Sequence, residues 1–281
     1  MYCIYTDKEI EFAHSSLEHI IPLSLGGSNA FVIQVCGVKN AKLGAEVDGQ
    51  LIKDPALSLH VSKLGYRGHS GKKVTPVFKK AFLKKTNKPV QLRYDIGRIA
   101  VYSPIDKRDL EIKELLGEIV RVTIPYNRMI RIVFTAKVAL ATGYFIYGDT
   151  FVQHADHESL RTLMNYTMGQ PLDYLGALPL GVECNLSVSE ELDEKKLISR
   201  VMKTSSVQFK LYSAINRIRA TVGIGGKFIG SITFNADVAA FPQSRAKELE
   251  GGQIIKLVPG GLWKMSYQEM LDIIEDAQKN K

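Results

Sequence analysis

The sequence predicts an α+β protein in two parts. A small N-terminal module over residues 1–55 runs strand, loop, strand, helix; a basic linker and helix over 56–89 joins it to a larger α+β region over 90–281. Three observations carry this expectation. Short apolar runs alternate with polar punctuation as far as residue 52, the pattern of small strands with one helix. A strand-rich stretch over 90–135 passes into an Ala- and aromatic-rich segment. Between 207 and 234, β-like runs flank Gly223-Ile224-Gly225-Gly226, which is an antiparallel hairpin signature.

The elements follow in order. Residues 17–22 form a short apolar stretch closed by Pro22, and Leu25-Gly26-Gly27-Ser28-Asn29 reads as a loop. Residues 31–36 are a second strand, and 40–52 have the residue types of a helix. Residues 53–74 hold Gly65, Gly68 and Gly71 among Arg67, His69, Lys72 and Lys73, a flexible basic connector whose amides and cations suit phosphate. Thr75-Pro76 then predicts a helix start, with Thr as N-cap and Pro in the first turn. Val77, Phe78, Ala81 and Phe82 would share one face of it, leaving Lys79, Lys80, Lys84 and Lys85 on the others. Strands are expected at 90–94, 98–102 and 118–125. A buried helix over 134–147 stops at Gly148, and Asp156 caps another over 157–168. Ser266 with Glu269 three residues on is a capping box for a last helix carrying Met270, Ile273 and Ile274.

Composition narrows the class. The chain has 281 residues, of which 45% are hydrophobic and 23% charged, an ordinary globular mixture. No run of eighteen uncharged apolar residues predicts a membrane span. The N-terminus lacks a basic start and apolar run, so no signal peptide is expected. Three cysteines, Cys3, Cys36 and Cys184, do not make a disulfide framework. Cytoplasmic location is the resulting expectation. The net charge of +8 is unevenly placed. Residues 1–52 carry three Lys/Arg against six Asp/Glu, whereas 53–93 carry eleven against Asp54 alone. Residues 119–148 carry four basic residues and no acid. Such a division suggests a metal held by the acidic part and a polyanion by the basic part.

Hydrolysis of a phosphodiester at neutral pH needs a base for water, a cation against the developing charge and ligands for that cation. Glu18-His19 supplies a carboxylate and an imidazole side by side, although neighbouring strand residues face opposite ways unless the strand kinks. Asn40 at the head of the following helix offers an amide oxygen, which together with the carboxylate suits Mg²⁺.

Here the chain resembles the HNH, or ββα-metal, endonucleases. The residues that carry the resemblance are Cys3-Ile4-Tyr5-Thr6, Glu18-His19-Ile20-Ile21-Pro22 with Gly26-Gly27, and Cys36-Gly37-Val38-Lys39-Asn40. The resemblance implies a ββα-metal nuclease module with His19 as general base, and Glu18 and Asn40 as ligands to one Mg²⁺ or Mn²⁺. It leaves Asp48 as a further or supporting ligand and Lys42 as a phosphate contact. Two departures stand out. Thr6 and Lys39 occupy places where the family often has zinc cysteines, so no structural zinc is expected. The middle Asn that orients the base in many members has no clear equivalent; Phe31 or Val32 falls near its place, and Asn29 lies earlier, in the loop.

The expected function is metal-dependent cleavage of DNA, in restriction or phage defence. Arg67, Lys72, Lys73, Lys79, Lys80, Lys84 and Lys85 are the expected phosphate contacts, and a homodimer would serve double-strand cutting. Two alternatives stay open: a nuclease effector released when the C-terminal region senses a ligand, and a catalytically inactive DNA-binding protein. His154-Ala155-Asp156-His157-Glu158 is read as a capped helix start rather than a second metal site.

Overall fold

The structure, a computed structural model, describes residues 1–95, 98–124, 127–166, 170, 176–184, 202–242, 251–267, 269–270, 272–273 and 276. Met168 and Ile274, which the sequence assigned to helices, lie outside the described residues.

The N-terminal module begins with a short hairpin, β1 (Tyr2–Cys3) against β2 (Lys8–Glu9). β3 (Ser15–His19) then pairs antiparallel with β4 (Val32–Cys36), placing Leu17 opposite Gln34 and His19 opposite Val32. Helix α1 (Gly37–Leu43) follows at once, continuing through a π-helical turn, Gly44–Asp48, into α2 (Gly49–Leu51). The predicted order of strand, loop, strand and helix is therefore present. In β4 the alternation is the ordinary one, with Ile33 and Val35 buried. In β3 it is inverted: Leu17 is 62% exposed while Glu18 is 6% exposed. Asn40 does not open the helix, as the sequence suggested. Cys36 is the N-cap, and Asn40 lies within α1.

Residues 53–74 are less loop-like than expected. Asp54 caps α3 (Pro55–Lys63), its Oδ1 accepting from the amides of Ala56 and Leu57, and Pro55 fills the first position without losing a bond. Leu57 and Val61 anchor α3 in the core, so only the following stretch is a connector.

The helix predicted after Thr75-Pro76 is a strand. β5 (Val77–Leu83) pairs with β6 (Pro89–Asp95) on one side and β9 (Val120–Val122) on the other. The sheet is completed by β7 (Arg98–Ser103) and β8 (Arg108–Asp109) in the order β8-β7-β6-β5-β9. Lys79 and Lys80 fall where the β5–β6 register shifts, which restores the phase so that Ala81 and Leu83 point inward with Val90 and Val101. The spacing 77, 78, 81, 82 mimics a helical face, but strand partners on both sides outweigh that local signal. A short helix, α4 (Ile112–Leu115), precedes β9.

The centre of the protein is α5 (Arg128–Tyr147). It has the length and hydropathy of a membrane-crossing helix, yet 78% of its apolar window is buried within the protein. A helix apolar all round belongs inside a core. One flank packs on the sheet β10 (Gly181–Glu183), β11 (Ser206–Tyr212), β12 (Arg217–Ile224), β13 (Lys227–Asn235), β14 (Gly251–Val258) and β15 (Gly261–Ser266), ordered β10-β13-β12-β11-β14-β15. The other flank meets α2, the π-helical turn, β4 and α7 (His157–Met164). Asn127 caps α5, which starts six residues before the expected position, and Gly148 ends it; α6 (Asp149–His154) follows. The hairpin turn falls at Gly225-Gly226, both with positive φ (56° and 79°), and the Ser266–Glu269 capping box forms in both directions.

One hydrophobic cluster runs from Cys3 through Leu25, Phe31 and Val61 to α5 and on to Phe209, Phe234 and Phe241. The module thus shares its core with the large sheet. Polar bonds add to the join: Ser205 Oγ donates to Leu25 O at 2.6 Å, and His60 Nε2 meets Gly225 O at 2.7 Å.

Candidate functional site: a cleft around His19

A cavity of about 630 Å³ opens beside the β3–β4 hairpin and is lined by Glu18, His19, Asn40, Asp48, Ser16, Ser24, Gly68 and His69 among others. The loop between the strands builds its edge. Gly26 adopts φ +79°, open to glycine at little cost. At Gly27 a Cβ would sit 1.8 Å from the carbonyl oxygen of Ile21, and the Gly27 amide donates to Pro22 O at 3.0 Å. The Gly-Gly pair therefore lets the chain fold back tightly on Pro22, which returns Asn29 to the end of β3.

His19 is half-buried at the cleft, with Nε2 2.8 Å from Asn29 Oδ1. With that oxygen as acceptor, Nε2 carries the proton and Nδ1 keeps its lone pair. Asn29, set aside in the sequence as lying too early, is thus the residue at His19; Phe31 is fully buried in the core. The second ring at His19 is His69, with centroids 4.8 Å apart and planes at 71°. Nothing in the spacing of His69 marked it, and the only available signal was its place in the glycine-rich basic stretch.

The carboxylates lie on the inner side. Glu18 Oε1 is 2.5 Å from Lys137 Nζ of α5 and accepts from Tyr5 Oη at 3.4 Å. Lys137 also reaches Asp48 Oδ2 at 2.6 Å. The lysine is fully buried. Burial opposes its charge, but Asp48 and Glu18 more than offset this and hold the ammonium above its usual range. Burial pushes the Asp48 carboxyl up to about 6, Lys137 pulling against it and Glu18 adding to it. Burial, reinforced by Glu18, likewise raises the Tyr5 phenol. No sequence signal marks Lys137, which is 119 residues from Glu18 in the chain and sits among apolar neighbours.

The cleft presents oxygen donors of the kind a hard divalent ion takes. Asn40 Nδ2 is spent on Ser16 Oγ (2.9 Å) and Leu17 O (3.1 Å), so its Oδ1 is the remaining end of the amide. Asp48 Oδ1 is buried with no hydrogen-bond partner. Two carboxylates against one ammonium leave negative charge at the cleft floor. Among the described residues no group of three or more His, Cys, Asp or Glu is gathered as a metal cage. The oxygen donors nevertheless fit Mg²⁺ or Mn²⁺, which keep waters and share phosphate oxygens.

The remaining expected residues divide. Arg67, Lys72 and Lys73 belong to a closed hairpin loop that brings His69 to the cleft: Arg67 bridges to Lys73, and Gly68 N donates to Lys72 O at 3.3 Å. Lys42 does not line the cleft. It pairs with Glu46 at 3.9 Å and lines a different cavity, of about 570 Å³, with Lys39, Met129, Ile130 and Val133. Lys79 and Lys80 are exposed on β5, and Lys84 and Lys85 on the turn that follows it, rather than at the cleft. Of the zinc positions, Cys3 Sγ accepts from Cys36 N at 3.2 Å, Thr6 Oγ1 is buried without a partner, and the Lys39 ammonium donates to Asn165. Burial first, and Lys42 next, lowers the Lys39 ammonium. Asp156 is a cap, accepting from Ser159 N at 3.1 Å.

Residues 3–56 match the family model of HNH endonucleases. No curated protein and no solved structure matches the chain.

Proposed function

We propose that residues 3–56, an HNH endonuclease domain, hydrolyse DNA phosphodiester bonds in the His19 cleft. The observation that carries this reading is the His19–Asn29 bond, which leaves Nδ1 free beside a cavity bearing Glu18, Asn40 and Asp48. His19 takes the proton of an attacking water at Nδ1, while Asn29 holds the ring and its tautomer. Glu18 and Asn40 would hold one Mg²⁺ or Mn²⁺, with Asp48 beside them, and the ion would supply charge stabilisation for the phosphate. Lys137 fixes Glu18 and Asp48 from behind, so the ligands enter the reaction already oriented. Arg67, Lys72 and Lys73, on the loop that carries His69, serve as phosphate contacts, and the lysines of β5 extend the basic surface. Double-strand cutting by one such centre calls for two copies. Action on foreign DNA, in restriction or phage defence, is the role that the family resemblance favours.

Plasmid cleavage by wild type and His19→Ala, in Mg²⁺, Mn²⁺ and EDTA, tests the reading, with DNA binding measured alongside. Wild type should cut only with metal, and the variant should bind but not cut. Metal-dependent cutting retained by His19→Ala would overturn the assignment.

A second reading draws on the cavity that Lys39, Lys42, Leu43 and Val47 line with Met129 and Val133 of α5. It abuts the same helical segment that carries Asn40 and Asp48. A ligand there would shift those donors, making the protein a regulated nuclease that stays silent on plasmid until the ligand is added.

A further inference from the structure

We propose that His69 protonates the leaving oxygen during phosphodiester cleavage, which makes it a catalytic acid beside the His19 base; the assignment rests on the hydrolytic reading above. Three observations point to it. His69 is carried at the tip of a loop closed by its own bonds, Gly71 N to Gly68 O at 2.9 Å and Arg67 Nη1 to Gly71 O at 2.9 Å. Its ring lies 4.8 Å from that of His19, and both rings line one cavity. Among the described residues, neither nitrogen of His69 has a hydrogen-bond partner, whereas His19 is tied to Asn29.

Chemistry selects His69 from the groups present. An alkoxide is a poor leaving group unless it is protonated or neutralised as the bond breaks. His19 is occupied as base in the same step. Glu18 and Asp48 are held by Lys137. Arg67 keeps its proton, whereas an imidazole nitrogen can both carry a proton and give it up.

The step balances. A water oxygen forms the new bond to phosphorus as its proton passes to His19 Nδ1. The bond from phosphorus to the leaving oxygen breaks, and that oxygen takes the proton of His69 to become a hydroxyl. His19 ends protonated and His69 neutral, and solvent exchange resets both. Nothing is oxidised or reduced.

The test compares wild type and His69→Ala on duplex oligonucleotides with an ordinary phosphodiester or a bridging sulfur at one defined linkage. Sulfur is placed in turn at the 3′ and the 5′ bridging position, and all rates are measured in Mn²⁺. A thiolate leaves without protonation. The expected result is a loss of about 100-fold or more for the variant on the oxygen substrate, and recovery to near the wild-type rate on the substrate with sulfur at the leaving position. Recovery also shows that the variant is folded. An equal loss on oxygen and sulfur substrates, or no loss on either, overturns the acid role while leaving the hydrolytic reading intact. If wild type cuts neither substrate, both readings fall.

Discussion

Nε2 of His19 and Oδ1 of Asn29 lie 2.8 Å apart, across the loop that Gly26 and Gly27 fold back on Pro22. This bond sets one tautomer of the imidazole, while Phe31, which with Val32 falls near the place of the family's middle Asn, is buried in the core. Asn29 is itself exposed, so its removal should change stability by no more than about 0.5 kcal/mol. Asn29→Ala should lower kcat by about 10- to 100-fold, as loss of an orienting partner does. Asn29→Asp, which keeps the acceptor, should retain more activity. Equal kcat values for Asn29→Ala and wild type would show that the bond has no part in catalysis.

Gly27 has no room for a side chain. A Cβ at 1.8 Å from Ile21 O forces the loop open. Gly27→Ala should therefore destabilise the protein, by on the order of 3 kcal/mol, and a shift of that size in chemical denaturation would show it. A variant as stable as wild type would mean that the loop can relax without cost.

Lys137 joins α5 to both carboxylates. Lys137→Met leaves Glu18 and Asp48 buried without a counter-charge, and breaking such a pair costs about 3–5 kcal/mol. Adding Glu18→Gln and Asp48→Asn to Lys137→Met should return part of that stability. Failure of the triple variant to recover any would place the effect in packing rather than charge. Unfolding in urea distinguishes the two.

The cations divide by location. Replacing Arg67, Lys72 and Lys73 with Gln should reduce the salt slope of DNA binding by about 2–3, since each phosphate contact contributes about 0.9, and should also slow cleavage at saturating DNA. Replacing Lys79, Lys80, Lys84 and Lys85 should flatten the slope but leave saturated cleavage unchanged, because these side chains stand on β5 and the turn that follows it rather than at the cleft. A slope unmoved by either set would remove both from the DNA surface.

Local chemistry made part of the molecule legible in the sequence. Period-two burial at Ile33 and Val35, the Asp156 and Ser266 caps and the Gly225-Gly226 turn are short-range, and each was readable because its partners are a few residues away. The residues Glu18, His19 and Asn40 were readable as a constellation through family resemblance. What lay beyond reach was pairing across the chain. The face 77, 78, 81, 82 is compatible with a helix until β6 and β9 supply strand partners. The basic excess of 119–148 suggested a polyanion surface, but Arg131 and Lys137 are buried and answer Asp54, Glu18 and Asp48 inside the protein. His69 reached the cleft through a loop whose path is set by its own bonds and by packing near Ser24. Periodicity and capping act within a few residues and so survive in a linear string. Charge neutralisation of a buried carboxylate depends on which distant cation the core brings to it, and only the folded chain decides that.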